Sequence, residues 1–229
     1  ITFDSRRWIY YYPKGNFTSV YREKTYEENK FLLKDILENM SGRTIIYVQS
    51  KKDSKILEEQ LKDYFKVYNF SQTEKGFSVD NNLLDILKKQ FSNEKKAIAI
   101  THITGKVEGQ NYVDEDGNNI SNLIIYGSPH PRRNNEYWDR LNYYKKLFGE
   151  KRATEYVSFF PPNTTIYQAV MRAKRSENHK PIILLWGKEF SKGSPGHKYT
   201  YEELKGEMIF DSNEFINKIK ERENERKNL

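Results

Sequence analysis

Three short segments carry residue types that could act on phosphate. Gln168, Arg172 and Arg175 stand at i, i+4 and i+7 in Tyr167-Gln-Ala-Val-Met-Arg-Ala-Lys-Arg-Ser176. On a helix these positions share a face. That face gathers one amide and two guanidiniums, groups suited to stabilising charge on a transferring phosphoryl group. A basic face held in solvent is the other use of the same residues. The second segment is Thr101-His-Ile-Thr-Gly-Lys-Val-Glu-Gly-Gln-Asn-Tyr112, which follows a strand-like run. Gly105 and Gly109 flank Lys106 and Glu108; glycine lets backbone approach a phosphate closely, and lysine supplies charge. A tight turn is the alternative. The third, Pro129-His-Pro-Arg-Arg133, is a basic turn after another strand-like run. Arg132 and Arg133 can hold a nucleic-acid backbone there or simply face water.

What the chain lacks narrows the chemistry. It has no G-x-x-x-x-G-K-[ST] phosphate loop, no Gly-rich dinucleotide turn, no G-x-S-x-G elbow and no H-E-x-x-H pair. His102, His130, His179 and His197 are widely spaced, which predicts structural or surface roles and no metal site. Absence of cysteine excludes disulfides, zinc–thiolate centres, cysteine-ligated clusters and cysteine nucleophiles within these 229 residues. No complete catalytic machine is encoded here.

The elements that must position these segments follow from periodicity. Glu27–Met40 has apolar residues at near-helical spacing (Phe31, Leu32, Ile36, Met40), with Gly42 suited to a left-handed cap. Arg43–Ser50, Ala97–Ile103, Asn122–Tyr126 and Ile182–Trp186 are near-continuous apolar runs, the mark of strands buried on both faces. Lys66–Phe70 reads as a short strand. Helices are predicted over Asp53–Phe65, Asn82–Phe91, Tyr137–Phe148, Thr164–Lys174 and Ser212–Glu225. Asp114–Asn119 forms an acidic turn. The aromatic–polar alternation of residues 1–26 predicts short strands at a sheet edge. The order is that of an α/β fold with a doubly wound, mostly parallel sheet and helices on both faces. Three parts are expected: lead-in strands over 1–26 joining a preceding domain, a main domain over 27–211, and a charged helix over 212–229. The first residue, Ile1, is consistent with a chain continuing upstream.

Lys and Arg total 39 against 32 Asp and Glu, a net charge of +7. That balance favours a polyanionic partner through counterion release. Aromatics, 14% of the chain, serve a core with polar rims or base stacking. No run is long enough to span a membrane and no secretory leader is visible, which points to a cytoplasmic or otherwise intracellular location.

In order and spacing these segments resemble the second RecA-like motor domain of the XPD/DinG branch of superfamily 2 helicases, over about residues 17–190. Gly42-Arg-Thr-Ile-Ile-Tyr-Val-Gln-Ser50 is similar to that family's motif IV, and Thr104-Gly-Lys-Val-Glu-Gly-Gln-Asn-Tyr112 to its motif V. Leu123-Ile-Ile-Tyr-Gly-Ser-Pro-His-Pro131 resembles its strand running into Gly-x-Pro-x-Pro, and Gln168-x-x-x-Arg172-x-x-Arg175 fits the motif VI frame.

The resemblance implies an ATP-dependent helicase half acting on single-stranded nucleic acid, DNA in preference to RNA. ATP and Mg²⁺ would be held mainly by a first RecA-like domain, in cis or in trans. Arg172 and Arg175 would then face the nucleotide, with Gln168 positioning them and Glu108, Gly109 and Asn111 beside it. Ser50, Lys51, Gly105 and Lys106 would track the strand, joined by Arg132 and Arg133. Three departures stand out. Met171 replaces the family's glycine before the first arginine, Asn111 replaces an aspartate, and Trp-Gly-Lys-Glu-Phe190 replaces Asp-x-Arg-Phe. They leave open a domain that binds nucleic acid or a protein without hydrolysing ATP.

Overall fold

Alternation governs every long strand of the protein. In a computed structural model describing residues 8–76, 78–102, 119–174 and 179–228, seven parallel strands form one sheet. They are β1 (Ile9–Tyr12), β2 (Arg43–Val48), β3 (Val67–Asn69), β6 (Ala97–His102), β7 (Asn122–Tyr126), β8 (Ile182–Trp186) and β9 (Glu207–Met208). Their order is β3-β6-β2-β7-β8-β1-β9, and a separate hairpin pairs β4 (Glu74–Lys75) with β5 (Ser78–Val79). Odd and even residues feed two cores. Ile45, Leu123, Ile125, Ile183 and Leu185 fill one face; Ile46, Val48, Ile124, Leu184 and Trp186 fill the other. Because both faces are covered, the strands need apolar residues throughout, which is why they read as unbroken runs.

The helices divide by direction of travel. Connections moving toward β3 carry α1 (Arg22–Asn39) and α2 (Lys51–Leu61), whose Leu33, Ile36 and Leu57 pack on the second face. Connections moving toward β9 carry α3 (Asn81–Ser92), α6 (Phe160–Ala173) and α7 (Pro195–Leu204) on the first. Right-handed crossovers require this division. Asp80 and Asn134 cap α3 and α4 (Asn135–Phe148), accepting from the amides of Leu83 at 3.1 Å and Tyr137 at 3.0 Å. Gly149 joins α4 to α5 (Glu150–Thr154), and a π-helical turn over Glu155–Phe159 carries the chain into α6. The reason for that turn is Pro161-Pro162, which lack amide donors and crowd the preceding carbonyls.

Two expectations need correction. The lead-in is not at an edge: β1 lies between β8 and β9, with Ile9, Tyr10, Tyr11 and Tyr12 all buried. Phe17–Tyr21 is a turn, with Phe17 buried and Val20 exposed. The C-terminal helix α8 (Ser212–Lys227) is charged as expected and packs along one side, where Phe215 and Ile219 join the second core and Arg222 and Glu223 are buried. Residues on both sides of 26/27 and of 211/212 share the second core. Gly42 also differs: α1 ends on an extended Met40, and Gly42 (φ +77°) instead admits Ser121, whose Oγ would lie 2.1 Å from an added Cβ. The acidic turn lies outside the described residues except for Asn119.

Candidate nucleotide and nucleic-acid surfaces

Helix α6 presents its candidate residues by burying the opposite side. Ile166, Ala169, Val170 and Ala173 pack into the first core, leaving Gln168 exposed and Arg172 half-buried one turn later. Both line a shallow pocket with Thr165, Tyr47 of β2 and Ile125 of β7, at the centre of the sheet's face. No carboxylate among the described residues pairs with Arg172, while its carbonyl accepts from Asn119 Nδ2 at 2.8 Å. Met171 projects outward, 48% exposed. Arg175 lies outside the described residues, as do Gly105, Lys106, Glu108, Gly109 and Asn111.

The strand-tracking candidates gather at the carboxyl edge of the sheet, where open α/β sheets bind ligands. Ser50 caps α2, accepting from the Asp53 amide at 3.2 Å and donating to Asp53 Oδ2 at 2.7 Å. Asp53 also accepts from Arg22 at 2.6 Å. Lys51 donates through Nζ to the Glu74 carbonyl. Both residues therefore reach the edge already bonded within the chain. After β7, Gly127 (φ +92°) turns the backbone where a Cβ would meet Phe17 at 2.8 Å. Gln49 Nε2 fixes this turn by donating to the Ser128 carbonyl at 2.6 Å. Beyond it Arg132 and Arg133 are exposed, without ion-pair partners among the described residues.

A hydrogen-bonded relay at the end of β6 escaped the sequence analysis. The Ser71 hydroxyl lies 2.8 Å from His102 Nδ1 and also accepts from the His102 amide at 2.8 Å; His102 Nε2 lies 2.7 Å from Glu74 Oε2. Serine, imidazole and carboxylate in series suggest a nucleophile, but Ser71 is wholly buried and its oxygen is already committed. The relay is a clamp that holds the turn after β3 to the end of β6. Burial lowers the His102 pKa, Arg132 and Lys51 lower it further, and Glu74 opposes them. No local pattern could reveal this, because Ser71 and His102 are 31 positions apart.

Beyond the ends of β7 and β8, a cavity of about 90 Å³ is lined by Ser128, His130, Asn163 and Glu189. Both Glu189 carboxylate oxygens are shielded from solvent, and neither has a hydrogen-bond partner in another residue. Burial raises this carboxyl's pKa. Gly187 makes the room, since a Cβ there would stand 2.7 Å from Glu189 Oε2. Among the described residues no three metal-ligating side chains converge, and no helix is long and apolar enough to cross a membrane.

No protein-family model and no curated protein matches the sequence. Solved structures do. An XPD helicase superposes with a TM-score of 0.64 at 20% identity, over 88% of this chain and 35% of that one. The C-terminal domain of the DEAD-box protein Dbp5 gives 0.60 at 15% identity, over 95% of this chain and 98% of that one. S. cerevisiae Dbp5 bound to RNA and ADP BeF3 gives 0.57 at 14%, over 97% and 46%. The chain spans 35–40% of the length of the XPD chains it matches.

Proposed function

From its RecA-like fold, that of the C-terminal domain of superfamily 2 helicases, we propose that the chain is the second motor half of an ATP-dependent helicase or translocase on single-stranded nucleic acid, DNA in preference to RNA. The observation that carries this reading is Arg172. It is half-buried on a packed helix, without a carboxylate partner among the described residues, and one turn beyond Gln168. A guanidinium so placed is free to take a phosphate, and its planar, permanently charged fork suits the charge that develops on phosphoryl oxygens. Bound ATP supplies the phosphoryl bond whose cleavage drives the cycle. Arg172 and Arg175 stabilise its transferring group, and Gln168 orients them. On this reading Mg²⁺ and the remaining phosphates are held mainly by a first RecA-like domain, in the same chain or a partner.

At the carboxyl edge, Lys51, Arg132 and Arg133 supply positive charge for a strand's phosphates, with Gly105 and Lys106 extending the path. Dbp5, which shares the fold, has been solved with RNA and a nucleotide analogue. Glu189 and Met171 favour a second reading, a domain that binds without turnover. Glu189 places an unpaired carboxylate at the segment where the family pattern carries arginine.

The test is Arg172→Ala in the polypeptide together with its first RecA-like domain. ATPase activity falls about 10³-fold or more, while strand affinity stays within two-fold, roughly the error of additive surface effects. Unchanged turnover in the variant overturns the arginine's role. No turnover in the unsubstituted protein selects the binding reading.

A further inference from the structure

Helices α4 and α5 are built unlike the other surface helices. Tyr137, Leu141, Ala153 and Val157 form a small core of their own, separate from the two cores of the sheet. The Tyr137 hydroxyl meets Ser158 Oγ at 2.6 Å and fastens α4 to the π-helical turn. Outside this core the pair displays rings. Tyr143 is 61% exposed, Phe148 47% and Tyr156 44%. They form a connected array: Tyr144 stacks on Phe148 with centroids 6.0 Å apart, and Phe148 lies 5.7 Å from Tyr156. Leaving such rings in water forgoes the burial free energy they would gain in a core, and a contiguous exposed apolar patch marks a binding surface.

Charge identifies the partner. Residues 132–156 carry seven Lys and Arg against four Asp and Glu. Arg140, Lys146, Lys151 and Arg152 have no carboxylate within ion-pair distance among the described residues; only Lys145 is paired, to Glu150 at 2.9 Å. Helix α1 shows the ordinary solvated pattern, with Lys24, Lys30 and Lys34 each paired to a glutamate three or four positions away. On α4–α5 the positive charge is left uncompensated around flat apolar rings. That combination matches an unpaired polynucleotide, whose bases stack on aromatic faces while its phosphates meet the cations. A duplex would keep its bases out of reach. The patch also continues the carboxyl edge of the sheet, since α4 starts two residues after Arg133.

We propose that the exposed face of α4–α5 is a stacking platform for single-stranded nucleic acid, in which Tyr143, Phe148 and Tyr156 receive bases and Lys146, Lys151 and Arg152 receive phosphates. The partner class rests on the nucleic-acid reading above, and the test separates the two. Anisotropy of a labelled oligothymidine is followed over a salt series for the protein and three sets of variants. Tyr143→Ala and Phe148→Ala each weaken binding about ten-fold, with the slope of log affinity against log salt unchanged, while Phe148→Tyr restores it. Lys146→Ala and Lys151→Ala each reduce that slope by about 0.7. If these variants bind like the parent while Arg132→Ala with Arg133→Ala bind more weakly, the platform is overturned and the sheet-edge track stands. If the ring variants weaken binding and the arginine pair does not, the platform stands and the track falls. A parent protein that retains no oligonucleotide overturns the platform and assigns the rings to a protein contact.

Discussion

The two ends of the sheet use charge in opposite ways. At the amino end, Glu223 of α8 accepts from the Ser41 amide and hydroxyl at 2.9 and 2.7 Å and pairs with Arg226. Arg226 in turn donates to the Ser121 carbonyl at 2.9 Å and to Asn122 Oδ1 at 3.0 Å, and Arg222 reaches the Tyr10 hydroxyl. Here charged groups from the chain's last helix seal the starts of three strands. At the carboxyl end, Arg132 and Arg133 face solvent and Glu189 lies buried without a partner. Charges paired within the chain serve the fold. Charge left uncompensated at the ligand-binding edge of a parallel sheet is available to something that arrives.

The sharpest way to break this contrast is at the amino end. Glu223→Ala strands Arg226 and the Ser41 amide in a buried setting, and should cost about 3 kcal/mol or more in urea unfolding. A loss below ~1 kcal/mol would show that the seal is not structural. Next is the clamp at the end of β6. Ser71→Ala removes the acceptor of the His102 amide and should cost about 1–3 kcal/mol.

The clamp also sets a pH response. The pKa of His102 is lower in the folded state than in the unfolded chain, so the unfolded chain takes up the proton first. Stability is therefore present at neutral pH and lost as pH falls through about 6.5, the unfolded value. His179, also lowered by burial, acts in the same direction. Unfolding midpoints at neutral and mildly acidic pH, compared between the parent and His102→Gln, isolate the share due to the clamp, and equal slopes would remove it.

Glu189→Gln reverses the sign. Its carboxyl has a raised pKa in the fold, so ionisation opposes folding at neutral pH and protonation relieves that cost. The variant should be more stable than the parent by about 1 kcal/mol at neutral pH. Its advantage should vanish as pH falls toward the usual glutamate value, and a destabilised variant would mean that the carboxylate has a bonded role. The smallest effect belongs to the solvent-facing arginines. Arg132→Ala should change stability by no more than about 0.5 kcal/mol, yet lower the salt slope of strand binding by about 0.7.

Much of the fold was legible because its signals are local. The β2, β6, β7 and β8 runs announce two-sided burial. The i, i+4 spacing put Gln168 and Arg172 on one helical side before any packing was known, and α6 keeps them there. The relay through Ser71, His102 and Glu74 was invisible for the opposite reason: each residue is unremarkable within its own segment.

The sequence by itself determined the strand–helix alternation, the buried strands and the helix bearing Arg172, since these depend on periodicities of two and 3.6 residues that any short window contains. Tertiary structure alone decided that β1 enters the sheet between β8 and β9, that α8 closes the amino end, that Ser50 and Lys51 are bonded within the chain, and that Glu189 is buried unpaired. Such outcomes turn on which distant backbones pair and which side chains then share an interior. The free energy of that choice is spread over contacts far apart in the chain, and no single segment records it.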